Sequence, residues 1–332
     1  MKYIIDGHYD ILMDVAARRK KGERQVIRRR YYPAFQKGGV TGIVASIFVD
    51  SQYLPYGALS VAMEQISALH CEIEETPDLL MLCTSADDFL RAAETGKIGF
   101  LLSFEGAEPV SSCLLLHGFY AAGVRGLGLA WSRRNAAADG CDFSGSLKKG
   151  GLTEFGRELV KEAEDLHMIL DLSHLSDEGV EDVLSLTSCP VIASHSNSRT
   201  VAGSNRNLTD CQMREIASRG GTVGLNGCSL LTAGPGVSPD QNGLTAHLDH
   251  MTEIMGEDHV AFGFDFCDLF FADDLSSSTD QMPERPFDIL SGAHEDLPAF
   301  LDHLRQHGYK ESHLAKLAGE NWLHTFRHIL KH

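Results

Sequence analysis

Short apolar runs, separated by longer amphipathic stretches, recur along the whole chain. Eight of these runs are rich in Val, Ile, Leu and Phe and are almost continuously apolar, which is typical of strands buried on both faces of a parallel sheet. They span residues 3–8, 42–49, 98–104, 124–131, 168–174, 190–195, 221–226 and 259–265. The pattern therefore predicts eight parallel strands.

The stretches between the later runs have the spacing of amphipathic helices. Residues 152–166 and 176–186 predict two of them, and Thr153 and Ser176 are placed as N-caps. Residues 209–218 and 243–255 predict two more. Repeated strand–helix alternation favours an α/β fold of the (β/α)8 TIM-barrel type over an open doubly wound sheet.

The last part of the chain departs from this alternation. Residues 273–286 are rich in Ser, Asp and Pro, which predicts a loop over the top of the barrel. Residues 296–329 predict two or three extra C-terminal helices packed outside the barrel. Because no linker, repeat or low-complexity tract divides the chain, we expect residues 1–332 to form a single domain.

Composition and charge narrow the class of protein. The 332 residues are 43% hydrophobic and 23% charged, which is ordinary for a globular protein. A formal net charge of -17 disfavours nucleic acid and anionic lipid as partners. The chain has no apolar run of membrane-spanning length and no signal-peptide pattern at its start, and its eight cysteines form no CxxC pair. These features predict a cytoplasmic protein with reduced thiols and no membrane association.

Metal-ligand side chains stand at the ends of four predicted strands. They are His8 and Asp10, Glu105, His174, and His195. Strand ends converge on one face of a barrel, and residues two apart on a strand point to the same side. Imidazole and carboxylate are good Zn²⁺ ligands. The pattern predicts a hydrolytic site with two Zn²⁺ ions, in which Glu105 bridges them.

Each of these residues alone has an ordinary structural interpretation. A His-x-Asp pair is common, Glu105 could form a salt bridge, and a buried histidine is often only hydrogen-bonded. The metal hypothesis depends on the coincidence of five such residues at four strand ends. Seven further histidines, on helical or loop stretches, are predicted to face solvent: His70, His117, His167, His247, His303, His307 and His313.

Two more residues suggest roles in catalysis and substrate binding. Asp265 ends the last predicted strand and could shuttle a proton, although it could instead orient a ligand histidine, and Asp268 competes for the role. Arg206 lies on a predicted barrel-top loop and could bind a substrate carboxylate or serve only as a surface or salt-bridge residue. Its rivals for carboxylate binding are Arg125, Arg133, Arg134 and Arg199.

Taken together, the motifs resemble the membrane (renal) dipeptidase family of the amidohydrolase superfamily. The matching pieces occur in order along the chain and continue into the C-terminal stretch 309–322. They are DGHYD at 6–10, SFEG at 103–106, DLSH at 171–174, ASHS at 193–196, SNRN at 204–207 and GFDF at 263–266.

The resemblance implies a binuclear zinc metalloprotease that hydrolyses dipeptides through a metal-bridging hydroxide and often accepts a D-residue at the C-terminal position. It implies the five metal ligands named above, Asp265 as the catalytic proton carrier and Arg206 as the binder of the dipeptide carboxylate. It also implies a homodimer. Trp131 stands where family members such as the mammalian enzymes carry a histidine, so we expect Trp131 to contact substrate.

Other functions remain open at this point. The chain could be another metal-dependent amidohydrolase, acting on a cyclic amide, a lactone or an N-acyl amino acid. It could be a decarboxylase-type lyase, which a single bound ion would favour. A non-catalytic binding protein is the third alternative, which the full set of ligand residues disfavours.

Overall fold

The protein is described here from a computed structural model, which covers residues 1–142, 150–267, 269, 288–290 and 294–331. The predicted loop 273–286 and Asp268 lie outside these residues. The strands are β1 (Ile5–Tyr9), β2 (Gly42–Phe48), β3 (Leu80–Leu82), β4 (Ile98–Glu105), β5 (Val124–Gly128), β6 (Ile169–Asp171), β7 (Ile192–Ala193), β8 (Thr222–Leu225) and β9 (Val260–Phe262).

The helices alternate with the strands and then continue at the C-terminal end. They are α1 (Ile11–Lys20), α2 (Tyr32–Gly38), α3 (Ala58–Glu75), α4 (Ala86–Glu94), α5 (Cys113–Ala121), α6 (Glu154–Asp165), α7 (Asp177–Leu186), α8 (Asp210–Ser218), α9 (Ser229–Thr232), α10 (Gln241–Met255), α11 (Leu297–Gln306), α12 (Glu311–Ala315) and α13 (Asn321–Ile329). The predicted caps are confirmed, since Thr153 Oγ1 accepts from Gly156 N at 3.0 Å and Ser176 Oγ accepts from Gly179 N at 3.1 Å.

The sheet is parallel throughout and has the order β1-β2-β4-β5-β6-β7-β8-β9. The segment that follows β9, the last strand, lies beside β1, the first strand. There the backbone N–H of Asp265 donates to His8 O at 3.3 Å. The predicted (β/α)8 barrel is confirmed. β3 is an addition that the sequence did not reveal: its Leu80 pairs with Ile98 at the start of β4, outside the eight-strand path.

The barrel interior is apolar at the end away from the functional side chains. Leu101 lies four residues before Glu105 on β4 and so shares its inward face. Equivalent residues of the other strands join it in one buried cluster with the ring of Trp322: Ile5, Val44, Ile169, Ile192 and Ala261. Trp322 Nε1 donates to Phe262 O at 2.8 Å. The C-terminal helices are therefore present as predicted, but α13 also inserts Trp322 into the base of the barrel rather than packing only outside it.

All eight cysteines are free thiols. Within the described ranges, no helix combines the length and the apolar character needed to cross a bilayer.

Candidate active site

Four strand ends bring the five predicted ligand residues into one cluster. His8 belongs to β1 and Asp10 follows it directly, Glu105 ends β4, and His174 and His195 follow β6 and β7. All but Asp10, which is half-buried, are buried. The carboxyl ends of parallel barrel strands point to one face, and this shared direction places the side chains together.

Glu105 lies between two groups of histidines. Its Oε2 atom lies 3.5 Å from His8 Nε2. Its Oε1 atom lies 2.9 Å from His174 Nε2 and 3.6 Å from His195 Nε2. Ser46 Oγ donates to Oε2 at 3.0 Å, which fixes the carboxylate. Each oxygen of Glu105 therefore faces a different group, as a bridging ligand requires.

The donor atoms of each group fit a metal ion. The atoms of His8, Asp10 and Glu105 lie within 4.8 Å of one another, and so do those of Glu105, His174 and His195. His8 Nε2 and Asp10 Oδ1 are 3.5 Å apart, and neither of these buried atoms has a hydrogen-bond partner in the described part of the chain. Because unpaired buried polar atoms are costly, a cation at this point would satisfy both.

The electrostatics of the histidines agree with metal binding. Burial, together with the charge of Arg206, lowers the pKa of His174 to about 3. Burial and the charge of His8 also hold the pKa of His195 well below its usual value. Neutral imidazoles keep the lone pair that a metal needs. Burial opposes charge on His8, yet the carboxylates of Glu105 and Asp10 outweigh it and raise the pKa of His8 well above its usual value. The same negative potential attracts a divalent cation.

Asp265 joins the cluster from the end of β9. Its Oδ1 atom lies 3.8 Å from His8 Nε2, and its Oδ2 atom accepts a hydrogen bond from Asn226 Nδ2 at 3.0 Å. Burial raises the pKa of Asp265 to about 7; the charge of His8 opposes this shift and that of Asp10 adds to it. A carboxyl group near neutrality can both accept and return a proton.

The backbone is left-handed at two of these positions. His174 has φ +69° and Asp265 has φ +59°. Residues other than glycine rarely adopt this conformation, and when they do it is often at functional sites. At both positions the chain leaves its strand and turns a polar side chain toward the cluster.

Arg206 is the arginine that approaches the histidines. Its guanidinium is buried; Nη1 donates to Ser196 Oγ at 2.7 Å and Nη2 donates to His195 O at 2.8 Å. Its Nε is a buried donor with no partner among the described residues. The four rival arginines are engaged elsewhere: Arg125 with Tyr120 O, Arg133 with Glu108, Arg134 with Asp139 and Arg199 with Asp177. The geometry thus favours Arg206 as the cation that faces the cluster.

Trp131 stands beside the cluster as an apolar wall. Its half-buried indole lies 5.7 Å from the ring of His174 and 5.2 Å from the ring of Phe48, between ring centroids. The Arg133 guanidinium lies 5.0 Å from the centre of the indole, and Glu108 pairs with it at 3.1 Å. Such stacking fixes the indole in place.

The prediction for the remaining histidines was wrong at His247 and His313, which are both buried. His247 lies on the inner face of α10; its Nδ1 accepts from Ser198 N at 3.1 Å, and its Nε2 lies 3.2 Å from Thr232 O. These partners come from distant parts of the chain, so helical spacing alone could not reveal them. Asn226 was also missed, although it ends a predicted strand as the ligand residues do.

Known proteins resemble this chain along almost its whole length. Residues 2–331 match the family described as membrane dipeptidase, peptidase family M19. A Klebsiella pneumoniae protein, described as an uncharacterized protein in the pqqA 5' region, is 32% identical over 283 residues, which cover 83% of this chain and 98% of that protein.

Two solved structures share the whole fold. A metallopeptidase from Rhodobacter sphaeroides, liganded with a phosphinate mimic of the dipeptide L-Ala-D-Ala, superimposes with a TM-score of 0.83 at 29% identity and covers 98% of this chain and 99% of its own. A metallopeptidase named dipeptidase AC gives 0.84 at 30% identity, covering 99% and 98%. Together with the match along almost the entire sequence, these likenesses show that the chain belongs to the membrane dipeptidase family, peptidase family M19, whose members are metallopeptidases that hydrolyse dipeptides.

Proposed function

We propose that this chain is a zinc-dependent dipeptidase with a binuclear metal site. The observation that carries the proposal is the position of Glu105, whose two oxygens face two separate histidine groups at 2.9–3.6 Å. A lyase or hydrolase with a single ion would have no use for this arrangement. Imidazole and carboxylate donors without thiolate also bind Mn²⁺ or Fe²⁺. Metal analysis of the purified protein therefore tests the identity of the metal as zinc.

His8, Asp10 and Glu105 would hold one ion, and Glu105, His174 and His195 would hold the other. When bound, the two ions would supply polarisation of the attacking water and of the scissile carbonyl. The protein's own contribution is to fix five donor side chains on four strand ends, so that little reorganisation accompanies the reaction.

Asp265 is proposed to carry the proton. Asn226 holds Oδ2 at 3.0 Å, so one oxygen is anchored while the other, Oδ1, faces the cluster beside His8. The carboxylate accepts the proton of the attacking water as the water adds to the peptide carbonyl. It then returns that proton to the leaving amine when the C–N bond breaks.

Arg206 is proposed to bind the C-terminal carboxylate of the dipeptide, and Trp131 to line the space for a substrate side chain. The unpartnered Nε of Arg206 supplies a donor for a carboxylate oxygen. The half-buried indole of Trp131 offers an apolar surface next to His174. The Rhodobacter sphaeroides metallopeptidase was solved with a mimic of L-Ala-D-Ala, so we propose L-Xaa–D-Xaa dipeptides among the substrates of this chain too.

Three broader expectations accompany this proposal. Eight free cysteines suit a reducing compartment, so we place the protein in the cytoplasm. Assembly as a homodimer is proposed from the family resemblance, and light scattering of the purified protein tests it. A single domain over residues 1–332 is proposed from the continuous barrel, and one cooperative unfolding transition would support it.

A panel of L-Xaa–L-Xaa and L-Xaa–D-Xaa dipeptides tests the function directly. The purified protein is assayed as isolated, after chelation, and after Zn²⁺ is returned. We expect dipeptide cleavage that is lost on chelation and restored by zinc. Cleavage of cyclic amides, lactones or N-acyl amino acids in preference to every dipeptide would contradict the proposal.

A further inference from the structure

A single buried hydroxyl lies behind one histidine of each predicted metal position. Ser194 Oγ lies 2.7 Å from Nδ1 of His195 and 3.5 Å from Nδ1 of His8. The two imidazole rings are stacked, with centroids 3.6 Å apart and planes inclined by 25°. Their Nδ1 atoms thus approach the same oxygen, while their Nε2 atoms lie on the side of Glu105.

The carboxylate of Asp171 fixes the direction of this hydroxyl. Asp171 Oδ1 accepts from the backbone N–H of Ser173 and of Ser194, both at 3.0 Å. Asp171 Oδ2 accepts from the hydroxyl of Ser194. All these groups are buried, so water does not compete for them. Because an ionised carboxylate only accepts hydrogen bonds, the hydroxyl proton points to Asp171, and Ser194 Oγ is left as an acceptor.

An acceptor at this point determines the tautomer of the imidazoles. His195 must carry its proton on Nδ1 to donate to Ser194 Oγ, which leaves the lone pair on Nε2. Ser194 is also the only hydrogen-bond partner of His8 Nδ1 in the described ranges, at 3.5 Å, so it keeps a proton on that nitrogen and leaves Nε2 as the atom that can bind a metal. Ser173 Oγ accepts from the backbone N–H of His195 at 3.2 Å and lies 3.5 Å from Ser194 Oγ, so a hydrogen bond between the two hydroxyls also leaves Ser194 Oγ as an acceptor when its own proton points to Asp171.

We propose that Ser194, anchored by Asp171, is a positioning residue for both metal positions at once, because it sets the metal-binding tautomer of His8 and of His195. The inference rests on the proposed binuclear function. Groups behind a ligand histidine typically change metal affinity or activity by about 10–100-fold when they are removed. Such a group usually contacts a ligand of one metal ion, whereas the Ser194 hydroxyl contacts one ligand histidine of each proposed metal position.

Ser132 provides a matched control from the same site. Its buried Oγ lies 2.7 Å from Nδ1 of His174, which belongs to the second metal position alone. The Ser132→Ala variant removes a hydroxyl of the same kind and leaves His8 and His195 untouched. Comparing the two variants therefore separates the effect of deleting a buried hydroxyl in this site from the effect of losing the contacts that Ser194 makes with both His8 and His195.

The Asp171→Asn variant tests the direction of the hydroxyl without changing side-chain volume. Its amide oxygen must replace Oδ1, because the N–H groups of Ser173 and Ser194 point there. Its amide nitrogen then replaces Oδ2 and donates to Ser194 Oγ, so the hydroxyl proton turns toward His195. That change favours the tautomer with the proton on Nε2, which cannot bind a metal.

The experiment is a Zn²⁺ titration against a competing chelator with the wild type and the Ser194→Ala, Asp171→Asn and Ser132→Ala variants. Thermal melting of the metal-free forms checks that each is folded. We expect Ser194→Ala to weaken both zinc-binding steps by about 10–100-fold and Ser132→Ala to weaken one. Histidine ¹⁵N spectra of the zinc-free protein should show Nδ1–H on one fewer ring in Asp171→Asn, that of His195, or a mixture of its tautomers.

Each outcome of this titration decides the inference. If wild type binds two zincs and Ser194→Ala weakens only one step, or neither, the inference is overturned while the binuclear site stands. If wild type binds fewer than two zincs, the proposed function fails and the inference fails with it. If Ser194→Ala does not fold, Asp171→Asn decides: unchanged affinity at the step that involves His195 overturns the inference, and weakening of that step supports it.

Discussion

Asn226 holds one oxygen of Asp265 by a hydrogen bond of 3.0 Å and leaves the other facing His8. The two residues come from neighbouring strand ends, β8 and β9, so barrel geometry sets the contact. Asn226 Nδ2 is a neutral donor, so it fixes the orientation of the carboxyl group without adding a positive charge to the site. Burial can then keep the pKa of Asp265 at about 7.

The Asp265→Asn variant should lose turnover but retain its metals. The amide has nearly the shape of the carboxyl group and cannot carry a proton between the water and the leaving amine. We expect kcat to fall by about 10²–10⁴-fold, the usual contribution of general acid–base catalysis. Steady-state kinetics and metal analysis on the same sample check this. Turnover close to that of wild type would remove Asp265 from the mechanism.

The Arg206→Ala variant should lose affinity for dipeptides that carry a free C-terminal carboxylate. A charge-assisted hydrogen bond contributes about 1.5–3 kcal/mol, so KM should rise by about 10–100-fold. Dipeptide amides, which lack that carboxylate, should be affected little.

The matched control for this variant is Arg199→Ala, since Arg199 pairs with Asp177 at 2.7 Å. An equal rise in KM for acids and amides would assign Arg206 a structural role at Ser196 and His195 instead. The zinc content of Arg206→Ala shows whether the hydrogen bond from Arg206 to His195 O is needed for zinc binding.

Trp131 should influence the choice of side chain more than metal binding. Removing the indole in Trp131→Ala takes away an apolar surface beside His174 and the partner of Phe48. We expect kcat/KM to fall more for dipeptides with large apolar residues than for those with alanine, by about tenfold, since aromatic contacts add about 0.5–1.5 kcal/mol beyond their burial. Zinc content should not change. A uniform loss for all dipeptides would contradict a role in side-chain selection.

His247 should make the fold sensitive to acid. Burial lowers the pKa of His247 to about 4, against 6.5 for the unperturbed residue. The unfolded chain therefore takes up a proton at this residue first, and the stability contributed by neutral His247 is lost as the pH falls from about 6.5 to 4. Linkage puts the loss at about 3 kcal/mol in the free energy of unfolding.

Denaturant unfolding of the zinc-free protein at several pH values checks this. The His247→Gln variant should have a shallower dependence on pH between 6.5 and 4 than wild type. His307→Gln is the control, because the His307 side chain is 50% exposed. Equal slopes in wild type and His247→Gln would contradict the account.

The apolar runs predicted the barrel because strands covered on both faces need few polar residues. Six of these eight strands end earlier in the structure than in the prediction, whereas β1 and β4 extend one residue further. The run 124–131 was expected to be one strand, whereas β5 ends at Gly128 and the chain then leaves the sheet to place Trp131 beside His174. β3 was missed because it has three residues, two of them half-buried, and lies off the main path.

The proposed ligand residues could be picked out from the sequence because each stands at a strand end, and strand ends converge in any barrel. The groups that hold these histidines in place, Ser194 and Asp171, could not be identified from the sequence. Ser194 and Asp171 lie in motifs that the sequence showed, but their hydrogen bonds join β6, β7 and β1, and hydroxyl contacts of this kind depend on packing. His247 was predicted to be exposed, as polar residues on helices usually are. It is buried because backbone groups of Ser198 and Thr232, which the sequence does not place beside it, lie within hydrogen-bond distance of its ring nitrogens.

Glu105 is proposed to bridge two metal ions, and the zinc content per chain tests this role. Wild type and Glu105→Gln are loaded with Zn²⁺, dialysed, and measured by mass spectrometry of the metal together with protein concentration. The account predicts about two zinc ions per wild-type chain and a loss of at least one in Glu105→Gln, because one carboxylate contributes to both positions. One zinc or none in wild type, or two retained in Glu105→Gln, would contradict it.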